Sequence, residues 1–213
     1  MSKRPTCEFC LRPLQTCICK HIHLVENRVS LIILQHPQEV SETKNSARLL
    51  NMCLKNSQIH IGEDFGDIFF QNMASSGHYN LLLYPDTPEE KSLGILSPPQ
   101  INPAVLNSDA NSLKLESIRL WVLDGTWRKS RKMLYVNAAL QAMPRLSLQD
   151  CPPSMYKIRK AHSENQLSTL EASCYALQKL EHKCVDYSPI LEAFAAFVAE
   201  QQSFLPFNPY ESL

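Results

Sequence analysis

No run of about 18 apolar residues occurs in this 213-residue chain, which excludes a membrane-spanning helix of ordinary composition. The opening Met1-Ser2-Lys3-Arg4-Pro5 leads into cysteines and not into an apolar stretch, so no secretory signal is read there and a cytoplasmic protein is expected. Internal repeats are lacking as well. The formal net charge is zero, which taken alone argues against a nucleic-acid partner. Its distribution qualifies that argument. No lysine or arginine follows Lys183, whereas Asp186, Glu192, Glu200 and Glu211 do, so the first 183 residues carry a surplus of four positive charges. Arg128, Lys129, Arg131 and Lys132 crowd one short run, and Lys157, Arg159 and Lys160 another. Such clusters either bind phosphates or simply form solvated faces.

What is present divides the chain in two. Cys7-x-x-Cys10 followed by Cys17-x-Cys19 has the spacing of a tetrahedral S₄ zinc site. Four thiolates leave no open coordination position, so the role expected is structural. An iron–sulfur cluster or a redox pair remains the alternative. Residues 1–24 then read as a metal-knotted element with almost no core of its own, and residues 25–213 as the main domain. Cys53, Cys151, Cys174 and Cys184 are scattered and read as buried small hydrophobes.

Along the main domain the apolar runs Val29–Leu34, Tyr79–Tyr84 and Ile118–Leu123 lack alternation, the mark of strands buried on both faces of a parallel sheet. Shorter strands are expected at Ile59–Ile61, Leu146–Leu148 and Tyr156–Ile158. Helical spacing covers Ser46–Leu54, Ile68–Met73 and 127–142. Ser168-Thr169-Leu170-Glu171 has the form of a capping box opening a helix to Leu180, and Ser188-Pro189 reads as an N-cap followed by a first-turn proline, opening another over Ile190–Phe204. Residues 86–117, rich in proline, asparagine and serine, form a long excursion: a lid, a binding loop or a disordered insertion. The fold class is α/β, a mostly parallel sheet flanked by helices.

Chemistry is sought where strands release into loops, because ligands of open α/β sheets bind at carboxyl ends of strands. Asp124-Gly125-Thr126-Trp127 lies at such a point. Asp124 offers a proton acceptor, Gly125 a close approach to backbone, and Trp127 a stacking face. Asp-Gly is also an ordinary turn. His36-Pro37-Gln38-Glu39 and Tyr84-Pro85-Asp86 follow strands in the same way. His36 reads as a hydrogen-bonded loop histidine and Ser168 as a helix cap, although a helix N-terminus also attracts a carboxylate. Arg159 faces either that carboxylate or an acidic neighbour.

Together these motifs resemble the DTW-domain family. The match is carried by Leu123-Asp124-Gly125-Thr126-Trp127, His36-Pro37-x-Glu39 with Ala47-x-Leu49-Leu50, Tyr156-x-Ile158-Arg159, Leu167-Ser168-Thr169-Leu170-Glu171-Ala172 and the four N-terminal cysteines. The resemblance implies transfer of the 3-amino-3-carboxypropyl group of S-adenosylmethionine to N3 of a uridine in tRNA. It also implies a SPOUT-like fold with a C-terminal trefoil knot. Under it Asp124 and Trp127 are the catalytic candidates, with Asp124 as base. Tyr84, Pro85, Leu123, Gly125, Thr126, Arg159, Leu167, Ser168 and Thr169 would line the S-adenosylmethionine site. Arg128, Lys129, Arg131, Lys132 and Lys157 would contact tRNA, without reading its sequence. Cys7, Cys10, Cys17 and Cys19 would hold zinc. The protein would act as a monomer or homodimer. The competing readings are a SPOUT-type RNA methyltransferase and a non-catalytic zinc-containing RNA-binding module.

Overall fold

A computed structural model of the chain describes residues 5–42, 45–74, 77–85, 100–101, 113–148, 151–152, 154, 167–182 and 184–203. Its centre is a five-stranded, wholly parallel sheet. The strands are β1 (Ser30–Gln35), β2 (Ser57–Ile61), β3 (Tyr79–Leu83), β4 (Ile118–Asp124) and β5 (Arg145–Leu146), in spatial order β2-β1-β4-β3-β5. Every residue of β1 and β4 is buried, in keeping with their largely apolar, non-alternating sequences. Edge strand β2 is half exposed. Leu34 pairs with Leu123 and Gln35 with Asp124, so the two central strands end flush.

Helices cover both faces. They are α1 (Ala47–Cys53), α2 (Gly66–Ala74), α3 (Trp127–Val136), α4 (Ala138–Ala142), α5 (Thr169–Leu180) and α6 (Ser188–Ser203). Leu31, Ile33, Leu120 and Val122 face α1, α5 and α6 in the larger core. Ile32, Leu34, Trp121 and Leu123 face α2, α3 and α4 in the smaller one. The connection from β1 to β2 steps outward one way, those from β2 to β3 and from β4 to β5 the other. Right-handed crossovers then fall on opposite faces, as α1 does relative to α2, α3 and α4.

The structure departs from the sequence expectations at a few points. The helix expected over 127–142 breaks at Asn137, whose backbone is extended. Its buried side chain donates to the carbonyls of Glu63 and Met133 and accepts from the amide of Phe65, fastening the approach to α2. That three-way anchorage competes with helix continuation. The last helix begins two residues earlier than expected, because Tyr187 O accepts from Ile190 and Leu191 while Asp186 caps the Ser188 amide. Ser168, by contrast, closes the expected capping box with Glu171. The strand near 146 is only two residues long. Cys53 and Cys174 are buried and their thiols are pushed up by burial, but Cys151 is half-buried and Cys184 is exposed. Cys184 sits in the turn after α5, beside His182 at positive φ, and has no core to enter. The expected strand 156–158 lies outside the described residues, as does most of 86–117. Among the described residues no helix is long and apolar enough to cross a membrane.

At the opposite edge from the strand-end loops, Glu181 locks α5 to the sheet. It is fully buried, and Oε1 accepts from the amides of Arg28 (2.8 Å) and Val29 (2.7 Å) while Oε2 accepts from the Tyr187 hydroxyl (2.9 Å). Glu181→Ala orphans three donors at once. It is expected to lower the unfolding free energy by about 2–4 kcal/mol in urea denaturation. A loss under about 1 kcal/mol would contradict the role.

Candidate metal centre and strand-end site

The four N-terminal cysteines converge. Cys7 Sγ lies 3.6 Å from Cys19 Sγ, Cys10 Sγ lies 3.7 Å from Cys17 Sγ, and all four sulfurs are within 4.8 Å of one another. Tetrahedral zinc, with Zn–S near 2.3 Å, places its sulfurs about 3.8 Å apart, so the donor set fits that ion and closes it. A tight turn with Leu11 at φ 54° brings the first pair together. The amides of Cys10 and Phe9 hold the Cys7 thiol down at about 6, whereas burial pushes that of Cys19 up to about 12. The element docks on the larger core: Cys10 and Ile18 are buried within it. Lys20 and His21 both reach Glu200 at 2.8 Å and hold its carboxyl below the usual range, while Arg12 lies over the Phe197 ring. His21 is therefore committed to α6 and not to the metal.

The second constellation sits at the carboxyl ends of β1 and β4. Asp124 is only 6% exposed. Its Oδ2 accepts from Gln35 Nε2 (2.9 Å) and Asn45 Nδ2 (3.1 Å), and its Oδ1 from Thr169 Oγ1 (2.7 Å). Each partner belongs to a different element. Gln35 ends β1, Asn45 caps α1 by accepting from Arg48 N, and Thr169 opens α5. All three donors are neutral. Among the described residues no lysine, arginine or histidine forms an ion pair with Asp124. Gln35 and Asn45 escaped the sequence reading: a polar strand end carries no signal, and Asn45-Ser46 before an apolar helix marks a cap but not its second partner.

The turn that follows Asp124 launches α3. Thr126 is its N-cap, its hydroxyl accepting from Lys129 N and its carbonyl from Ser130 N. A Cβ on Gly125 would lie 3.1 Å from Lys129 Cβ, so the turn is packed closely onto the helix. Trp127 remains 48% exposed and meets the buried Tyr84 ring edge-on at 6.1 Å. Burial pushes the Tyr84 phenol up, and the Arg145 guanidinium lies over the same ring. Pro85 is exposed and Leu167 half-buried beside the cap Ser168. Leu123 points away from Asp124 into the smaller core, leaving only its backbone at the site.

The basic run divides between two tasks. Lys129 pairs with the buried Glu39 at 2.7 Å, and Lys132 with Glu63 at 2.8 Å. Glu63, held below the usual carboxylate range by Lys132 and His36, also meets His36 Nε2 at 3.1 Å. His36 Nδ1 accepts from Gln38 N, which assigns the proton to Nε2. His36 is thus a hydrogen-bonded loop histidine. Arg128 and Arg131 face outward. Lys157 and Arg159 lie outside the described residues.

The DTW domain family model matches residues 4–202. The tRNA-uridine aminocarboxypropyltransferase 2 of Mus musculus is 27% identical over 92% of this chain and 64% of its own length. That of Macaca fascicularis is 26% identical over 84% of this chain and 57% of its own, and that of Drosophila melanogaster 27% over 85% and 69%. The chain therefore spans roughly three-fifths of the length of these curated relatives. No solved structure matches it significantly.

Purified protein is expected to carry one zinc per chain in elemental analysis, and Cys17→Ser to lose it. Losing about 2 kcal/mol with the staple corresponds to a Tm drop of about 4–8 °C for a chain of this size. Stoichiometric iron, or an unchanged Tm in the metal-free variant, would contradict the assignment.

Proposed function

The chain belongs to the DTW-domain family, and from that premise we propose that it transfers the 3-amino-3-carboxypropyl group of S-adenosylmethionine to N3 of a uridine in tRNA, releasing methylthioadenosine. The names of its relatives support the coarser part of this reading, aminocarboxypropyl transfer to a tRNA uridine. The observation that carries the reading is the carboxylate of Asp124, held at the meeting of two central strands by neutral donors and flanked by an exposed indole. A SPOUT-like fold with a C-terminal knot belongs to the same proposal. Its support is the return of the chain from edge strand β5 to the sheet centre, where Thr169 meets Asp124.

S-adenosylmethionine, when bound, supplies an electrophilic methylene on a cationic sulfur. An anionic wall with no cationic side chain paired to it among the described residues suits such a ligand. Asp124 accepts the N3 proton, and Trp127 offers its face to the base. Tyr84 and Pro85 form one wall for the donor, the backbone of Leu123, Gly125 and Thr126 the floor, and Leu167, Ser168 and Thr169 the opposite wall. Arg159 completes the set in this proposal. Because the sulfonium bears three carbons open to displacement, holding the correct one within roughly 3–3.5 Å of the nucleophile selects the product. Arg128, Arg131, Lys132 and Lys157 serve the tRNA backbone in this proposal. Lys129 is engaged by Glu39 and contributes chiefly to holding α3.

Donor labelled separately in its methyl and amino-acid carbons decides the reaction class. The amino-acid label is expected in tRNA and the methyl label in methylthioadenosine; methyl label entering tRNA would establish the methyltransferase reading instead. For the interface, Arg128→Ala and Arg131→Ala should each flatten the slope of log affinity against log salt by about 0.7–0.9. Lys129→Ala should change that slope by less than half as much; equal effects of all three would refute the division of the basic run.

A further inference from the structure

We propose that the Thr169 hydroxyl relays the N3 proton of the target uridine to Oδ1 of Asp124. The proposal rests on the reaction put forward above and adds the path its proton takes. A carboxylate that receives a proton turns from acceptor to donor, so one of its partners must be able to turn with it. On Oδ2 none can. Gln35 Nε2 and Asn45 Nδ2 are amide nitrogens, which only donate. The Asn45 amide is moreover fixed in orientation, because its Oδ1 already accepts from Arg48 N. A proton arriving on Oδ2 would face two N–H groups.

Oδ1 is different. Its partner is the Thr169 hydroxyl at 2.7 Å, a group that donates and accepts. Thr169 is half-buried, whereas Asp124 is nearly enclosed, so Thr169 is the more accessible residue of the pair. Its position is fixed from both sides. The reciprocal Ser168–Glu171 capping box sets the first turn of α5, and Ser173 Oγ donates to the Thr169 carbonyl. Of the other buried or half-buried carboxylates near this edge, Glu39 is paired with Lys129, Glu63 with Lys132 and His36 Nε2, and the fully buried Glu171 accepts from Ser154 Oγ and the Ser168 amide. None is placed as a competing acceptor.

In the step itself, the uridine N3–H donates to Thr169 Oγ1 while the Thr169 proton moves to Asp124 Oδ1. The freed N3 electron pair forms the bond to the methylene carbon, the carbon–sulfur bond breaks, and its pair stays on sulfur. Carboxylate and sulfonium charges disappear together, leaving a neutral acid, a neutral thioether and the modified base. The acid then donates to the reoriented Thr169 hydroxyl until its proton is lost to water.

The test is single-turnover transfer with purified full-length protein, S-adenosylmethionine and tRNA transcript, across pH, for wild type, Thr169→Val, Thr169→Ser and Asp124→Asn. Thr169→Val is expected to slow transfer about 100-fold or more, the usual worth of a positioned proton acceptor. Affinity for donor and tRNA should stay within about threefold. Thr169→Ser, which keeps the hydroxyl, should recover to within about fivefold of wild type. The deficits of Thr169→Val and Asp124→Asn should narrow as the pH approaches the range where N3 ionises unaided. A wild-type rate in Thr169→Val, an equally slow Thr169→Ser, a deficit independent of pH, or a loss explained by affinity would each overturn the relay. A wild-type enzyme that transfers no aminocarboxypropyl group would instead remove the reaction on which the relay rests.

Discussion

Asp124 makes three hydrogen bonds to three separate elements, and the geometry of the carboxyl edge of the sheet follows from them. Gln35 brings in the end of β1, Asn45 the cap of α1 and Thr169 the first turn of α5. Each bond is charge-assisted at the acceptor, the stronger class of protein hydrogen bond. Because Gln35 and Asp124 are register partners, the carboxylate lies directly beside the amide that holds it, and only the two helix termini have to be brought to it. Burying a carboxylate without a cation is costly unless its lone pairs are used. Here they are used by groups that also define where one strand ends and two helices begin, so the cost of burial and the placement of the site have a common solution.

The rest of the molecule serves to keep that edge fixed. On the far side, Glu181 binds the amides before β1 and so ties the last turn of α5 to the sheet, while Thr169 ties its first turn. Helix α5 is thus pinned at both ends. Helix α6 packs behind it and carries Glu200 and Phe197, which receive the metal element through Lys20, His21 and Arg12. The four-cysteine centre is remote in chemistry from the strand-end loops but continuous with them in packing, since Cys10 and Ile18 share the core that underlies Asp124. On the opposite face, the Lys129–Glu39 pair and the His36–Glu63–Lys132 group brace α3 over the loops after β1 and β2. They leave Trp127 and the outward arginines as the exposed part of the turn.

Much of this was legible in the sequence because it is local. Largely apolar runs without alternation revealed β1, β3 and β4, as expected of strands in the interior of a parallel sheet. Ser168 and Glu171 revealed the start of α5, and cysteine spacing revealed the four-cysteine cluster. What escaped depends on partners distant along the chain. Nothing near Asn137 distinguishes it from a tolerated helical asparagine; the break is set by Glu63 and Phe65, more than seventy positions away. Lys129 and Lys132 looked equivalent to Arg128 and Arg131 because Glu39 and Glu63 come into reach only after folding. Asp124 itself could be singled out by position, but its three donors could not.

The organising role of Asp124 is tested most directly by amide hydrogen exchange on Asp124→Ala. Removing the carboxylate should selectively raise exchange at 45–50 and at 169–173, the segments it tethers, while β3 and the centre of β4 keep their protection. Unchanged exchange at both helix starts, or a uniform rise across the sheet, would contradict the account.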